Sequence, residues 1–524
     1  MGVRRAGEET TTDGHLEIER KFDVGPDFSV PDLVGVAGVA SVADVEEIDL
    51  AATYHDTADL RLLRSRVTLR RRTGGTDAGW HVKLPGSAGA RTELHQPLGR
   101  AVQSPPAAVL APVLGLIGTR PVGPVATIET HRVVRRLADA EGRVLAEVAD
   151  DAVTGAALAA AAGAPVTVTA WREIEVELVD GDRSVLDAVA EALCAAGANS
   201  SASASKVGQV LAARLATTVP QGDGADGPGK KLQRTAGEVV LAAVGAQVVA
   251  LGEADLAART GGSEGVHDFR VACRRLRSIF AEFRSVLPRV QTDPIRAELQ
   301  WAGQELSATR DGEVALEHLR GLVKDQPVEL VLGPVAARLQ QAEIADGVAG
   351  EEHARGTLSD PRYLRLVDAL QDLLAAPPLT DVAGEPATQV FRDAVQHSGR
   401  RLRRAVRAAQ NASGPARHLA MHEVRKAAKR VRYTAEVVSP VLGGRAKKLK
   451  HRTKWVQTVL GEAQDTVITR GWCTRLGLAA QAAGENSWTY GRLHALEEVR
   501  AERAEEAFWV GWPATSKTLK AATR

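Results

Sequence analysis

The chain has 524 residues, more than one ordinary domain holds, so two or three domains are expected. Hydrophobic residues make up 44% and charged residues 25%, normal for a globular protein with sizeable cores, while aromatics at 4% leave Ala, Val and Leu to fill most of the interior. Cys194, Cys273 and Cys473 stand far apart in no metal-ligand spacing, which argues against a disulfide framework and for reduced thiols in the cytosol. The polar start (residues 1–15) has no apolar core of a secretory signal, and no run approaches the roughly 18 uninterrupted apolar residues of a membrane span. The net charge of +1 is unevenly placed. From Arg400 to Leu460 there are 17 Lys and Arg against 2 acids, Glu423 and Glu436, a local +15 that needs an anionic partner or very good solvation.

Taken in chain order, residues 1–14 are expected to be disordered. A first domain over 15–216 then offers eight strand candidates of period two, near 15–24, 47–56, 64–72, 79–84, 90–96, 126–136, 143–151 and 170–178. Eight antiparallel strands of alternating pattern suit a closed barrel. Residues 217–231, rich in Gly, Asp and Pro, read as a linker. From 232 to 512 the spacing is helical, with a tail at 513–524. Segment 266–277 (VHDFRVACRRLR) returns at 421–432 (MHEVRKAAKRVR), an offset of 155, and 306–311 (LSATRD) returns at 460–465 (LGEAQD), an offset of 154. Two landmarks at nearly one offset point to duplication, hence two similar four-helix halves. The expected class is therefore an α+β multidomain protein: an eight-stranded antiparallel β-barrel tunnel, then an all-α duplicated four-helix-bundle domain.

The barrel strands carry unusual charge. In HLEIERKF, Glu17, Glu19 and Lys21 share a face; in WREIEVEL, Glu173, Glu175 and Glu177 do; AEVADD places Glu147 and Asp151 together. Rows of carboxylates repel unless cations intervene, and hard oxygen ligands in this number suit Mg²⁺ or Mn²⁺. In SRVTLRRR, alternation puts Arg64, Arg66, Thr68, Arg70 and Arg72 on one face; His81 and Lys83 share the next strand, and Arg91, Arg132 and Lys206 add further cations. Acids on one side of an interior and bases on the other fit a metal-bound polyphosphate. Alternating Glu on a single strand is more often a solvated face; the two clusters, the Arg row and the strand count together argue against that.

Glu17-Ile18-Glu19-Arg20-Lys21 resembles the ExExK signature of the CYTH superfamily, the triphosphate tunnel metalloenzymes, and YHDTADLRLLRSRVTLRRR (54–72) with HVKLPG resembles its second motif region. The resemblance covers roughly 15–215. It implies an eight-stranded tunnel that binds triphosphate and divalent metal, with Glu17, Glu19, Asp151, Glu173 and Glu175 facing the metal. The neighbouring Asp150 is the alternative to Asp151. It further implies that Lys21, Glu17 and Glu19 belong to the catalytic set, and that Arg70, Arg72, Lys83, Arg91, Arg132 and Lys206, with Lys21, cradle the phosphates. The implied activity is metal-dependent hydrolysis of inorganic triphosphate. Thiamine triphosphate hydrolysis, ATP cyclisation and binding without turnover remain open.

On a helix, His267, Arg270, Arg274 and Arg277 fall within about 80° of one face, and His422, Arg425, Lys429 and Arg432 reproduce that face. Arg275 and Arg430 lie beside this face in the two halves, and Lys426 widens the second patch. One basic face usually means solvation; its duplication points to a linear polyanion laid across both helices. Nucleic acid is a rival ligand, opposed by the lack of interleaved aromatics. VHDFRVACRRLRS and MHEVRKAAKRVRY resemble the two hallmark helices of the CHAD domain, a polyphosphate-binding module, over about 232–512. That resemblance implies polyphosphate as the partner, and a cytoplasmic protein with recruitment to polyphosphate granules.

Overall fold

The computed structural model describes residues 13–86, 90–99, 104–159, 166–203, 205–216, 234–262 and 264–522. The chain forms two compact units that divide between residues 227 and 228. Most of the predicted N-terminal segment and the predicted linker lie outside the described residues.

The first unit is built on β1 (Asp13–Val24), β2 (Ser41–Asp56), β3 (Thr68–Thr73), β4 (Gly79–Pro85), β5 (Ala90–Pro97), β6 (Gly123–Ala138), β7 (Val144–Ala157), β8 (Thr167–Leu178) and the two-residue β9 (Asn199–Ser200). The first eight close in the order β1-β5-β4-β3-β2-β6-β7-β8 and back to β1, with every neighbour antiparallel. Closure removes free edges, and the eight-stranded antiparallel barrel read from the alternation is present. Outward residues of β1, β7 and β8, among them Phe22, Val148, Ile174 and Val176, are buried with Leu33, Val39 and the apolar face of a helix at Arg183–Ala195. Each such buried side chain contributes roughly 1.5–3 kcal/mol. Polar residues are thereby left to the barrel interior.

Two boundaries differ from expectation. β1 begins at Asp13, inside the segment read as disordered. The third strand begins at Thr68, not residue 64, because the buried Asp56 carboxylate accepts the backbone N–H groups of Thr57 at 2.7 Å and of Leu62 and Leu63 at 2.9 Å. Those bonds fix one helical turn, α1 (Arg61–Arg64), flanked by left-handed backbone at Leu60 (φ 60°) and Arg66 (φ 59°). Arg64 and Arg66 therefore do not continue the inward row. The remaining helices here are α2 (Ala107–Leu110), α3 (Leu114–Ile117), α4 (Arg183–Ala195), α5 (Lys206–Val210) and α6 (Ala212–Ala216). α5 stops one end of the barrel: Val207, Val210 and the adjoining Leu211 are buried with Tyr54, Ala126, Ile128 and Val153. Gly155 on β7 lets α5 approach, since a Cβ there would clash with Val210.

The second unit consists of α7 (Ala236–Arg259), α8 (Gly265–Glu282), α9 (Arg289–Glu305), α10 (Ser307–Lys324), α11 (Val335–Ser359), α12 (Pro361–Ala375), α13 (Ala387–Gln410), α14 (Gly414–Leu442), α15 (Gly444–Ala482) and α16 (Trp488–Ala522). The duplication is visible as four rods twice over: α7, α8, α9–α10 and α11–α12 correspond to α13, α14, α15 and α16. The third rod breaks at Leu306 in the first half and runs unbroken for 39 residues in the second. A Thr235/Glu238 capping box starts α7. This helix is long and apolar enough by length and composition to cross a membrane, with a mean hydropathy of 1.7, yet Val240, Val244, Val248 and Leu251 pack within the unit's core. Residues 513–522, expected as a tail, continue α16. Lys447, Lys448, Lys450, Arg452 and Lys454 lie in the first turns of α15.

Candidate functional sites: a charged barrel cavity and a basic helical seam

The barrel encloses a cavity of about 540 Å³ lined by alternate residues of its strands, including Glu17, Glu19 and Lys21 of β1, Arg70 and Arg72 of β3, Lys83 of β4, Arg91 and Glu93 of β5, Arg132 of β6 and Glu175 of β8. Alternation also decides the β7 acids. Asp151 is fully buried and takes two bonds from Arg132, at 2.7 and 2.8 Å. Asp150 points the other way and is held by Arg172 at 2.7 Å.

Three of the five predicted metal-facing acids meet: oxygens of Asp151, Glu173 and Glu175 lie within 4.8 Å of one another. At their centre is the Lys206 ammonium, 2.9 Å from Asp151, 2.7 Å from Glu173 and 2.6 Å from Glu175. Burial opposes its charge, but the three carboxylates outweigh burial and hold its pKa above the ordinary lysine value. Trp171 fixes Glu173 by donating its indole N–H at 2.6 Å. Arg132 also reaches Glu175 at 2.5 Å, and Lys21 contacts Glu175 while lying 3.5 Å from Glu19. Buried Glu175 would be raised by desolvation alone, yet Lys206, Lys21 and Arg132 keep it well below the usual carboxylate range. These donors fit a divalent metal: three buried hard oxygens already gather around a compact cation.

Glu17 and Glu19 are placed differently. Glu19 faces Arg91 at 3.6 Å, and Glu17 pairs with Lys83 at 2.6 Å. Burial and a hydrogen bond with Glu93 push the Glu17 carboxyl up to about 8. Glu93 itself, despite burial, is held well below its ordinary value by hydrogen bonds with His81 and Glu17 and by the charges of Lys83 and Arg70. His81 binds Glu93 at 2.7 Å, and Arg70 lies 3.4 Å from it. Sequence reasoning missed Glu93, although β5 alternation places it on the face of Arg91. Burial and the neighbouring Arg70 bring Arg72 down to about 10.

In the helical unit α8 and α14 bury their apolar faces, Phe269, Ala272, Leu276 and Ile279 on one and Val424, Ala428, Val431 and Ala435 on the other, and pack together. Their basic residues converge. Burial and the charges of Arg425, Arg274 and Arg270 bring the Lys429 ammonium down to about 7, with Asp465 acting weakly in the other direction. Arg270 donates to Ser307 at 2.8 Å and Arg277 to Gln300 at 2.7 Å. His422 contacts Gln464 at 2.7 Å, joining the two landmarks of the second half, while the His267 ring is exposed. The side chains of Arg310 and Asp311 lie outside the described residues. Arg432 is drawn to Glu436 (3.2 Å), which also gathers Arg275 and Lys450 at 3.5 Å each. Arg430 is 3.7 Å from Glu282, and exposed Lys426 pairs with Glu423 at 2.5 Å.

Comparison with known proteins follows the same division. Residues 15–209 match the CYTH domain and residues 242–474 the CHAD domain. Two Mycobacterium tuberculosis proteins, Uncharacterized protein MT2285 and Uncharacterized protein Rv2226, are each 37% identical over 505 residues, covering 94% of both chains. Among solved structures, PptA from Streptomyces chartreusis is similar at 20% identity and a TM-score of 0.44, covering 53% of this chain and 99% of that one. The CHAD domain from the plant Ricinus communis is similar at 24% identity and a TM-score of 0.43, covering 55% and 94%. With its tunnel motifs on a closed barrel and its duplicated basic helices in a helical unit, the chain belongs to the CYTH–CHAD proteins, a CYTH triphosphate-tunnel domain followed by a CHAD domain.

Proposed function

We propose that the barrel hydrolyses inorganic triphosphate or short polyphosphate with a divalent cation, Mg²⁺ or Mn²⁺, and that the helical unit binds polyphosphate, in the cytosol and at polyphosphate granules. The observation that carries this reading is the charged barrel interior: the carboxylates of Asp151, Glu173 and Glu175 gathered within 4.8 Å, and Lys21, Arg70, Arg72, Lys83, Arg91 and Arg132 lining the cavity among further acids. Asp151, Glu173 and Glu175, with Glu19 and Glu17 farther along, would hold the cation, which when bound would supply concentrated positive charge to polarise phosphoryl oxygens. The chain's own residues do the rest. Lys21 and Arg132, each now on a carboxylate, can exchange that partner for a phosphate oxygen. Arg70 and Arg72, two residues apart on β3, neutralise charge spread over the transferred group, and Lys83 and Arg91 hold the adjoining phosphates. The apolar packing of α5 keeps water out of the stopped end.

A second reading, a sensor that binds triphosphate without turnover, draws support from Lys206, which already neutralises the acid group. Phosphate release from triphosphate, polyphosphate and ATP with Mg²⁺ or Mn²⁺ separates the two. The double variant Glu17→Gln/Glu19→Gln is expected to lose roughly 100-fold or more in triphosphate turnover. No metal-dependent release by the unaltered protein would sink the hydrolase reading, and cyclic AMP from ATP would redirect it. In the helical unit, Arg270→Ala with Arg425→Ala should weaken polyphosphate binding about tenfold or more while triphosphate turnover stays nearly intact. Equal loss of both activities would contradict the division of labour.

A further inference from the structure

A second concavity lies in the helical unit, beside the duplicated basic face and sharing Arg430 with it. It has a volume of about 180 Å³, is floored by Phe280 and Ala281 and is ringed by Arg284, Arg289, Arg296, Arg401 and Arg430 with a single acid, Asp293. The elements that meet there are α8 with the turn after it, α9, α13 and α14. Asp293 is engaged by Arg289 at 2.8 Å and by Arg296 at 2.6 Å, and Arg430 lies 3.7 Å from the buried Glu282 beneath. Five guanidinium groups against two carboxylates leave a formal charge of +3. Among the described residues neither Arg284 nor Arg401 makes a side-chain hydrogen bond or close ion pair, so two cations stand ready at the rim.

Apart from Arg430, which borders the second basic stripe and corresponds to Arg275 beside the first, the pocket is not part of the repeat. At the offset of 155, Arg284 corresponds to Ser439, Arg289 to Gly444 and Arg296 to His451. The basic stripe occurs twice, once on α8 and once on α14, which suits the repeating units of a chain. A concave pocket lying largely off that repeat suits a different phosphate. An interior phosphate of a linear chain carries one negative charge, whereas a terminal or free phosphate has a second ionisable proton, lost around neutral pH, and so takes on a second charge that an interior phosphate cannot. Arginine forks bind several oxygens of such a group at once.

We propose that this pocket is a receptor for a dianionic phosphate group, supplied by the end of a polyphosphate chain or by free orthophosphate. The proposal rests on the reading of the helical unit as a polyphosphate binder for its first source but not for its second. Calorimetric titration of the full chain in metal-free buffer tests it, using long polyphosphate with free ends, the same polyphosphate with both ends esterified, and orthophosphate. In Arg284→Gln/Arg401→Gln the preference for free over esterified ends should fall about tenfold, with affinity for the esterified chain unchanged, if chain ends are the source. A similar loss confined to orthophosphate assigns the pocket to the free ion. Arg284→Lys/Arg401→Lys should retain part of the affinity, and thermal melting of both variants should match the unaltered protein. The proposal is overturned if the Gln variant changes neither quantity, or weakens free-ended and esterified chains equally. Should the unaltered protein bind no polyphosphate at all, the reading of the basic face fails, and the orthophosphate titration still decides the pocket.

Discussion

Lys206 is the residue on which the barrel site turns, because its ammonium takes the position among Asp151, Glu173 and Glu175 that a divalent ion would take. Removing one partner from a buried charged group costs up to about 3–5 kcal/mol; without Lys206, Glu173 loses its ion pair, while Asp151 and Glu175 keep Arg132 and Lys21. Lys206→Met is therefore expected to melt well below the unaltered protein in chelator and to recover much of the difference on adding Mn²⁺. Thermal melts with and without metal check this, and equal melting in chelator would refute it. Residue by residue, much of the site was legible. Strand alternation separates inward Asp151 from outward Asp150 and sets the carboxylate and arginine rows on interior faces. The ion pairing was not legible, because strand order decides which rows face each other. Glu17 is next to Lys83 and Glu93 only because β1 pairs with β5 and β5 with β4.

At the scale of elements, α8 and α14 crowd three arginines, Arg270, Arg274 and Arg425, around Lys429. Its folded pKa of about 7 lies below the value of 10.5 it has when unfolded, so between those values the unfolded chain holds the extra proton. Stability of the helical unit is expected to rise with pH across that window, by up to about 1 kcal/mol per unit at the steepest. The slope should vanish in Lys429→Met. An anion laid among Arg270, Arg274, Arg425 and Lys429 would restore the ammonium, so polyphosphate binding near pH 7.5 should take up a proton, visible as a buffer-dependent heat. The pairing of these helices could be read from the repeat alone, since both carry the same basic stripe at one offset. The break at Leu306 could not, as the second-half counterpart runs straight through. Nor could α1, which exists because one buried carboxylate collects three backbone donors.

For the whole molecule, on the proposed reading, a binder joined to a hydrolase would raise the local concentration of substrate without any new contact. A protease site placed within residues 217–231 allows the same preparation to be assayed before and after cleavage. Turnover of triphosphate should be unchanged, while turnover of dilute long-chain polyphosphate should fall several-fold; unchanged rates on both would rule out tethering as the source of any advantage. The stopped end of the barrel sets a further rule for long substrates. α5, wedged against Ile128 and Val153, blocks passage at that end of the barrel. On the proposed reading a chain is not threaded out past α5; it would enter tip first. Such a barrel would trim rather than sever, and a population of long chains would shrink gradually from the terminus without ever yielding halves.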